Sequence, residues 1–251
     1  MARDTTPTAP TIQFSIARSA AWAPGVETPD EWDAWARGAR EIGGDSEPAL
    51  RQMAPLLRRH TGRLGRMACD VAYRALDGAV GVPIVFCSRY GEAARSVELM
   101  RSLAERSALS PTNFSLSVHN SVAGLLSIAR RDTANSLAIA AGEASAAHGV
   151  IEACGLLADG AEQVLLVVAD CPLPPVYEPF AEVLPLAYAW AWLMRAAGDG
   201  VVTLEWDAAP SAEPGVARPP AGLEVLRFHQ RGDAELVHTA GLHRWRWTHR
   251  A

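Results

Sequence analysis

The sequence predicts an α/β fold, and three observations carry that prediction. Two short unbroken apolar runs, residues 136–141 (SLAIAA) and 164–169 (VLLVVA), bracket a stretch with helical spacing. In that stretch Ala147, Val150, Ile151, Cys154, Leu157 and Ala158 recur at three and four, and Asp159-Gly160 stops the pattern. Continuous apolar runs are the mark of strands buried on both faces. Strand, helix, strand over this length is a βαβ unit, with parallel strands and a right-handed crossover. A third such run, 82–87 (VPIVFC), precedes another helix-period segment at 93–106. The strand-to-helix tip of a βαβ unit is where α/β proteins place chemistry, and here it carries Gly142-Glu143-Ala144-Ser145.

The remaining elements follow in order. Residues 1–10 are rich in Thr, Pro and Ala and are expected to fray. Residues 12–17 (IQFSIA) form a first strand, and 20–25 leave it in a loop. Trp32 and Trp35 sit in a short helical patch at 30–40. Residues 48–79 give one or two helices, with Met67, Val71, Ala72 and Ala75 on one face and Arg58, Arg59, Arg63 and Arg66 on the other. That basic face is either simply solvated or a dock for an acidic partner. After 82–87, Ser88 to Glu92 turns into the helix at 93–106, and 110–124 is a loop and helix start containing His119. A lone histidine is ordinarily a satisfied structural residue.

Beyond 170 the signals weaken. Residues 171–185 are proline-rich, 186–197 are expected to be helical, and 200–206 (GVVTLEW) form a strand. Residues 210–222 are a Pro/Ala linker or long loop. Residues 223–229 and 234–239 are expected to pair as a hairpin around Gly232-Asp233. Arg244 to Trp247 alternates like an edge strand, and five arginines between 227 and 250 face only Asp233 and Glu235.

Composition narrows the function. The 251 residues are 49% hydrophobic, enough for a sizeable core in one domain. A net charge of −5 argues against nucleic acid as a partner. Every one of the 23 basic residues is arginine, which excludes a Schiff-base or phosphate-loop lysine. Cys69, Cys87, Cys154 and Cys171 form no CxxC pair and read as reduced, mostly buried thiols. With no apolar signal core in MARDTTPTAPT, a cytoplasmic protein is expected. The greasiest window, 184–194 (LPLAYAWAWLM), is too short to span a bilayer and reads as a buried helix or partner surface. His238, His243 and His249 have spacings that fit no common metal site, so no metal or cofactor is expected. Gly-Glu-Ala-Ser lacks the nucleophile elbow of a serine hydrolase.

One stretch carries a resemblance. Pro111, Phe114, Asn120, Gly124, the strand at 136–141, then Glu143, Ser145 and His148 keep a distinctive order and spacing. They resemble the nucleophile region of the β-ketoacyl synthases, condensing enzymes of the thiolase fold: proline, aromatic residues, Asn-x-x-x-Gly, a strand, Ala-Cys-x-Ser-Gly, a helix. The resemblance covers about 11–170, the family's N-terminal half, and leaves 171–251 as a shortened, divergent remainder. It implies a thiolase-like fold and a single truncated ketosynthase-like domain at 11–251. Glu143 stands where the catalytic cysteine should be, or Gly142 if the register slips by one.

The functional consequence is chemical. Condensation needs a thiolate to hold the acyl chain as a thioester. A carboxylate there would give a labile anhydride, and its charge would oppose the enolate formed on decarboxylation. The family's two histidines, which come from the second half, have no recognisable counterpart. The resemblance is strongest to inactive chain-length factors, and to the shorter ketosynthase-like proteins of aryl polyene and xanthomonadin-type pathways. It implies a heterodimer with an active ketosynthase, an acyl carrier protein as second partner, and no cofactor. Leu137 and Ile139 are the implied dimer-interface residues, and Arg59, Arg63 and Arg66 the carrier-docking residues. Tyr90, Val97, Phe114 and His119 are the acyl-tunnel candidates. In the family the 88–94 turn is glycine-rich; only Gly91 remains here, with Tyr90 beside it as either a tunnel plug or ordinary core packing. Glu143 itself has an alternative structural role, since acids favour helix N-termini. The alternative function is a stand-alone malonyl-thioester decarboxylase or acyl-thioester hydrolase using Glu143 with His119 or His148.

Overall fold

The computed structural model describes residues 9–209 and 218–250. One eight-stranded sheet runs β3-β2-β4-β5-β1-β6-β8-β7. β2 (Ile84–Cys87), β3 (Ser136–Ile139) and β4 (Val164–Asp170) are parallel. The expected βαβ unit is therefore present, with β2 lying between its two strands. From β4 onward every pairing is antiparallel.

β1 (Thr11–Trp22) is longer than the sequence suggests. Residues 20–22, expected in a loop, stay paired with β5 (Tyr188–Ala196), with Ala21 opposite Trp190, and Ser19 just before them lies opposite Trp192. Small residues opposite two indoles leave the room those rings require.

β5 itself overturns the expected helix at 186–197. Tyr188, Trp190, Trp192 and Met194 point to one core, while Ala189, Ala191 and Leu193 point to the other. Because both faces are buried, no polar residue marks the two-residue period, and the run reads equally as a helix. The cue was the alternation of large and small residues, with aromatics that favour strands. Its small face receives α3 (Arg63–Leu76), whose Ala68, Val71, Ala72 and Ala75 are buried.

Helices cover both faces. α3 and α6 (Ser121–Arg130) pack on one side, and α7 (Ser145–Ala158) on the other, beside α8 (Ala221–Arg231) and α1 (Pro29–Ala36). α7 approaches closely because of Gly149, where an added Cβ would lie 2.3 Å from Cys87 Sγ. α2 (Pro55–His60), α4 (Ala93–Ala104) and α5 (Pro111–Ser115) complete the set.

The C-terminal part needs two corrections. The expected hairpin at 223–239 is α8 followed by β7 (Glu235–Ala240), because Leu223, Val225, Leu226 and Phe228 bury a helical stripe. Gly232 adopts φ 63° and caps the helix instead of turning a hairpin. Arg244–Trp247 belongs to β8 (His243–Arg250), which lies inside the sheet between β6 (Val201–Ala208) and β7. Its alternation reflects Trp245 and Trp247 facing the core while Arg244 and Arg246 pair with Asp207 and Glu235. The sheet's end strands are β3 and β7. Most of the expected loop at 210–222 lies outside the described residues.

Candidate functional site

The parallel strands end together, and their tips carry the polar groups. β3 leads into Gly142, whose φ of 58° sets the turn, then a 3-10 turn at Gly142–Ala144 and α7. Glu143 sits in that turn with its side chain only 8% exposed. Arg89, in the turn after β2, donates from Nη1 to Glu143 Oε1. On the other carboxylate oxygen, the Ala221 amide donates at 3.2 Å and Arg218 Nη2 lies 4.0 Å away. Arg89 also pairs through Nη2 with Glu182 and lies over the Tyr90 ring, 5.0 Å from its centroid. Burial works against the Arg89 charge, but Glu143 and Glu182 beside it hold its pKa above the ordinary arginine value.

Asp170 closes β4 beneath this cluster. Its Oδ1 accepts from Ser88 Oγ at 2.8 Å, the Arg89 amide at 2.8 Å and the Tyr90 amide at 3.3 Å. Tyr188 Oη donates to Oδ2 at 3.4 Å. Burial pushes the Asp170 carboxyl up to about 6, against the pull of those donors.

A strap formed by residues 171–187 covers the site. The bridge between Val183 and Arg218, and the Leu184 amide donating to the Arg218 carbonyl at 2.9 Å, tie it to the start of α8. Arg218 Nη1 in turn donates to Thr239 O of β7. The cavity left under the strap is about 30 Å³, lined by Arg89, Tyr90, Glu143, Cys171 and Leu184 among others. That holds about two waters and no acyl chain.

Neither nearby histidine reaches Glu143 in a catalytic arrangement. His119 Nε2 lies 2.8 Å from Ser88 O, and its ring packs against Phe86. His148 Nδ1 is 3.0 Å from Ala144 O in its own helix, and its ring meets Trp245 edge-on. Ser145 Oγ is spent on Gly142 O and the Ala141 amide. Burial pushes the Cys69, Cys154 and Cys171 thiols up to about 12 and raises Cys87 further, so none is a ready thiolate.

The other expected residues are spread around this centre. Tyr90 is half-buried, with its hydroxyl buried and unpartnered; Val97 is buried on α4; Phe114 is 65% exposed on α5. Leu137 and Ile139 are half-buried on β3, whose outer edge is unpaired among the described residues. Arg59 is exposed, whereas Arg63 reaches Gly44 O and Asp45, and Arg66 reaches Thr61 O, Arg58 O and Glu47. Among the described residues no group of three His, Cys, Asp or Glu is placed to hold a metal. No helix among them is long and apolar enough to cross a membrane.

Sequence reasoning missed Arg89, Asp170, Tyr188 and Arg218 as site residues. Asp170 had a visible signal, a carboxylate ending the apolar run VLLVVAD at the same sheet end as Glu143.

Residues 32–248 match the family model described as β-ketoacyl synthase, N-terminal domain. The chain belongs to that family. No curated protein sequence matches it. This ketosynthase-like chain is similar to a solved structure described as the ketosynthase ApeO in complex with its chain length factor ApeC, from Xenorhabdus doucetiae. The two are 27% identical over 94% of this chain and 99% of that one, with a TM-score of 0.84. The ishigamide ketosynthase/chain length factor matches at 17% identity over 78% of this chain and 67% of that one, with a TM-score of 0.61. A β-ketoacyl synthase from Burkholderia phymatum STM815 matches at 11% identity over 80% and 65%, TM-score 0.59. The last two share the fold.

Proposed function

We propose that the chain is a non-catalytic chain-length factor that pairs with an active ketosynthase and shapes its acyl tunnel during polyene or fatty-acid-like biosynthesis. The observation that carries this reading is the clamped carboxylate of Glu143. The resemblance puts the family's nucleophile at Glu143, or at Gly142 if the register slips; neither is a thiol, and the space beside them, under the strap, is about 30 Å³. The ketosynthase/chain length factor complex similar over nearly the whole of both chains supports the same role.

What the sheet leaves uncovered supports the proposed heterodimer. β3 offers an unpaired backbone edge, and Met100, Leu103, Leu109, Phe114, Val118 and Ile128 are 45% to 65% exposed on and between α4, α5 and α6. A bare edge beside exposed apolar side chains marks an interaction surface. We assign it to the ketosynthase, in an interface of obligate size, with Leu137 and Ile139 on the pairing strand. Phe114 is then the tunnel candidate facing outward, and Tyr90, Val97 and His119 support the wall behind it. Arg59 is the candidate contact free to meet an acidic carrier protein; Arg63 and Arg66 already have partners in the chain. The decarboxylase or hydrolase alternative has no geometric support, since His119 and His148 are both held by backbone carbonyls.

The test is co-expression of this chain with the ketosynthase of its source and analysis of the complex. Co-purification in a fixed ratio, with no acyl adduct on this chain after incubation with acyl-carrier protein, is expected. A stable adduct on Cys87, Cys154 or Cys171 would overturn the non-catalytic reading.

A further inference from the structure

We infer that Glu143 is a latch, the built-in ligand of an anion site formed by Arg89, Arg218 and the Ala221 amide, and that this latch holds the strap shut. The three donors come from two separate parts of the chain: Arg89 from the turn after β2, and Arg218 and the Ala221 amide from the segment that runs into α8. Nothing covalent joins these two parts nearby, and Glu143 is the one acceptor common to all three donors. Arg89 extends the link to Glu182 in the strap, and the Arg218 backbone holds Val183 and Leu184. Removing the carboxylate takes from Arg89, whose side chain is only 12% exposed, its buried partner and leaves it only the 73% exposed Glu182 of the strap. Breaking one partner out of a buried ion pair is far costlier than never forming it, because the other charge stays buried. Arg89 recovers solvation by swinging outward with its remaining partner Glu182, and the strap that carries Glu182 opens with it.

The inference goes beyond the absence of a thiol. It gives Glu143 a positive task, and it predicts that the site is a general carboxylate receptor once its own occupant is removed. In Glu143→Ala the missing atoms, Cγ and the carboxylate, are those of acetate.

The experiment is hydrogen exchange on the full chain, wild type and Glu143→Ala, with sodium acetate replacing sodium chloride at constant ionic strength. In the variant, amides of 171–187 and 218–222 should exchange about tenfold faster or more, since local opening governs their protection. Rising acetate should slow them again, and the wild type should not respond. Unchanged exchange in a folded Glu143→Ala, or opening that acetate does not reverse, overturns the latch. If Glu143→Ala fails to fold, Glu143→Gln serves. It keeps an acceptor for the Ala221 amide but drops the charge, so faster strap exchange supports the latch and wild-type exchange overturns it. The measurement uses no ketosynthase, so it stands or falls separately from the chain-length reading.

Discussion

Two regions of this molecule, close in sequence, are built in opposite ways. Around Glu143 the carboxylate, its guanidinium partners and Asp170 all have bonding partners, and the space between them is about 30 Å³. Around β3 and α4 to α6, one sheet edge is unpaired and large apolar side chains face outward. An enzyme built on this fold would show the reverse, an open site with reactive groups waiting in it. The contrast teaches that the groups free to meet a partner lie at the β3 edge and on α4 to α6, while those around Glu143 are already engaged.

The contrast breaks most severely at the pairing strand. On the proposed interface, Leu137→Asp puts an unpaired charge into an apolar contact and should weaken ketosynthase binding by about 100-fold or more, roughly 3 kcal/mol. The isolated variant should fold normally, because Leu137 is only half-buried. Full-yield co-purification would remove β3 from the interface.

Asp170 probes the closed region. Burial raises its carboxyl to about 6 from an ordinary value near 3.8. A raised acid adds stability that is fully present below the unfolded value and is lost as pH rises through the folded one. Asp170→Asn, whose Oδ1 can keep all three strong acceptor bonds, should therefore gain relative to wild type between pH 4 and 7. The gain is up to about 3 kcal/mol. Urea unfolding of both proteins across that range checks it; a difference independent of pH contradicts the buried-acid account.

Tyr90 stands between the regions. Tyr90→Ala should cost about 2 kcal/mol, less than a full core truncation, since the ring is half-buried. If Tyr90 supports the tunnel wall, the same variant lengthens the product; equal product length in folded Tyr90→Ala and Tyr90→Trp removes it from the wall. The smallest effect belongs to the basic face. Arg59→Glu should weaken a carrier-protein contact by no more than about 1 kcal/mol, and the loss should shrink with salt.

The N-terminal part of this fold was legible because its signals are local. Apolar runs gave β2, β3 and β4, three-four spacing gave α7, and the residues from Pro111 to His148 gave the family. The C-terminal part was less so, for two physical reasons. β5 is buried on both faces, so its period of two is written in side-chain size rather than polarity. Gly232 fits a hairpin turn and a helix cap equally well, and the stripe through Leu226 and Phe228 decides between them. The position of Glu143 was legible; its partners were not. Arg89 is 54 residues away and Ala221 is 78, and no local pattern encodes such a contact.

The most direct test of the central claim is product length in a reconstituted system. The ketosynthase, carrier protein and reducing enzymes of the source are combined with the wild-type chain, with Leu137→Asp, or with no added chain, and the acyl products are read by mass spectrometry. The account predicts one defined polyene length with the wild-type chain, and short or mixed products in the other two reactions. The same product distribution in all three would contradict it.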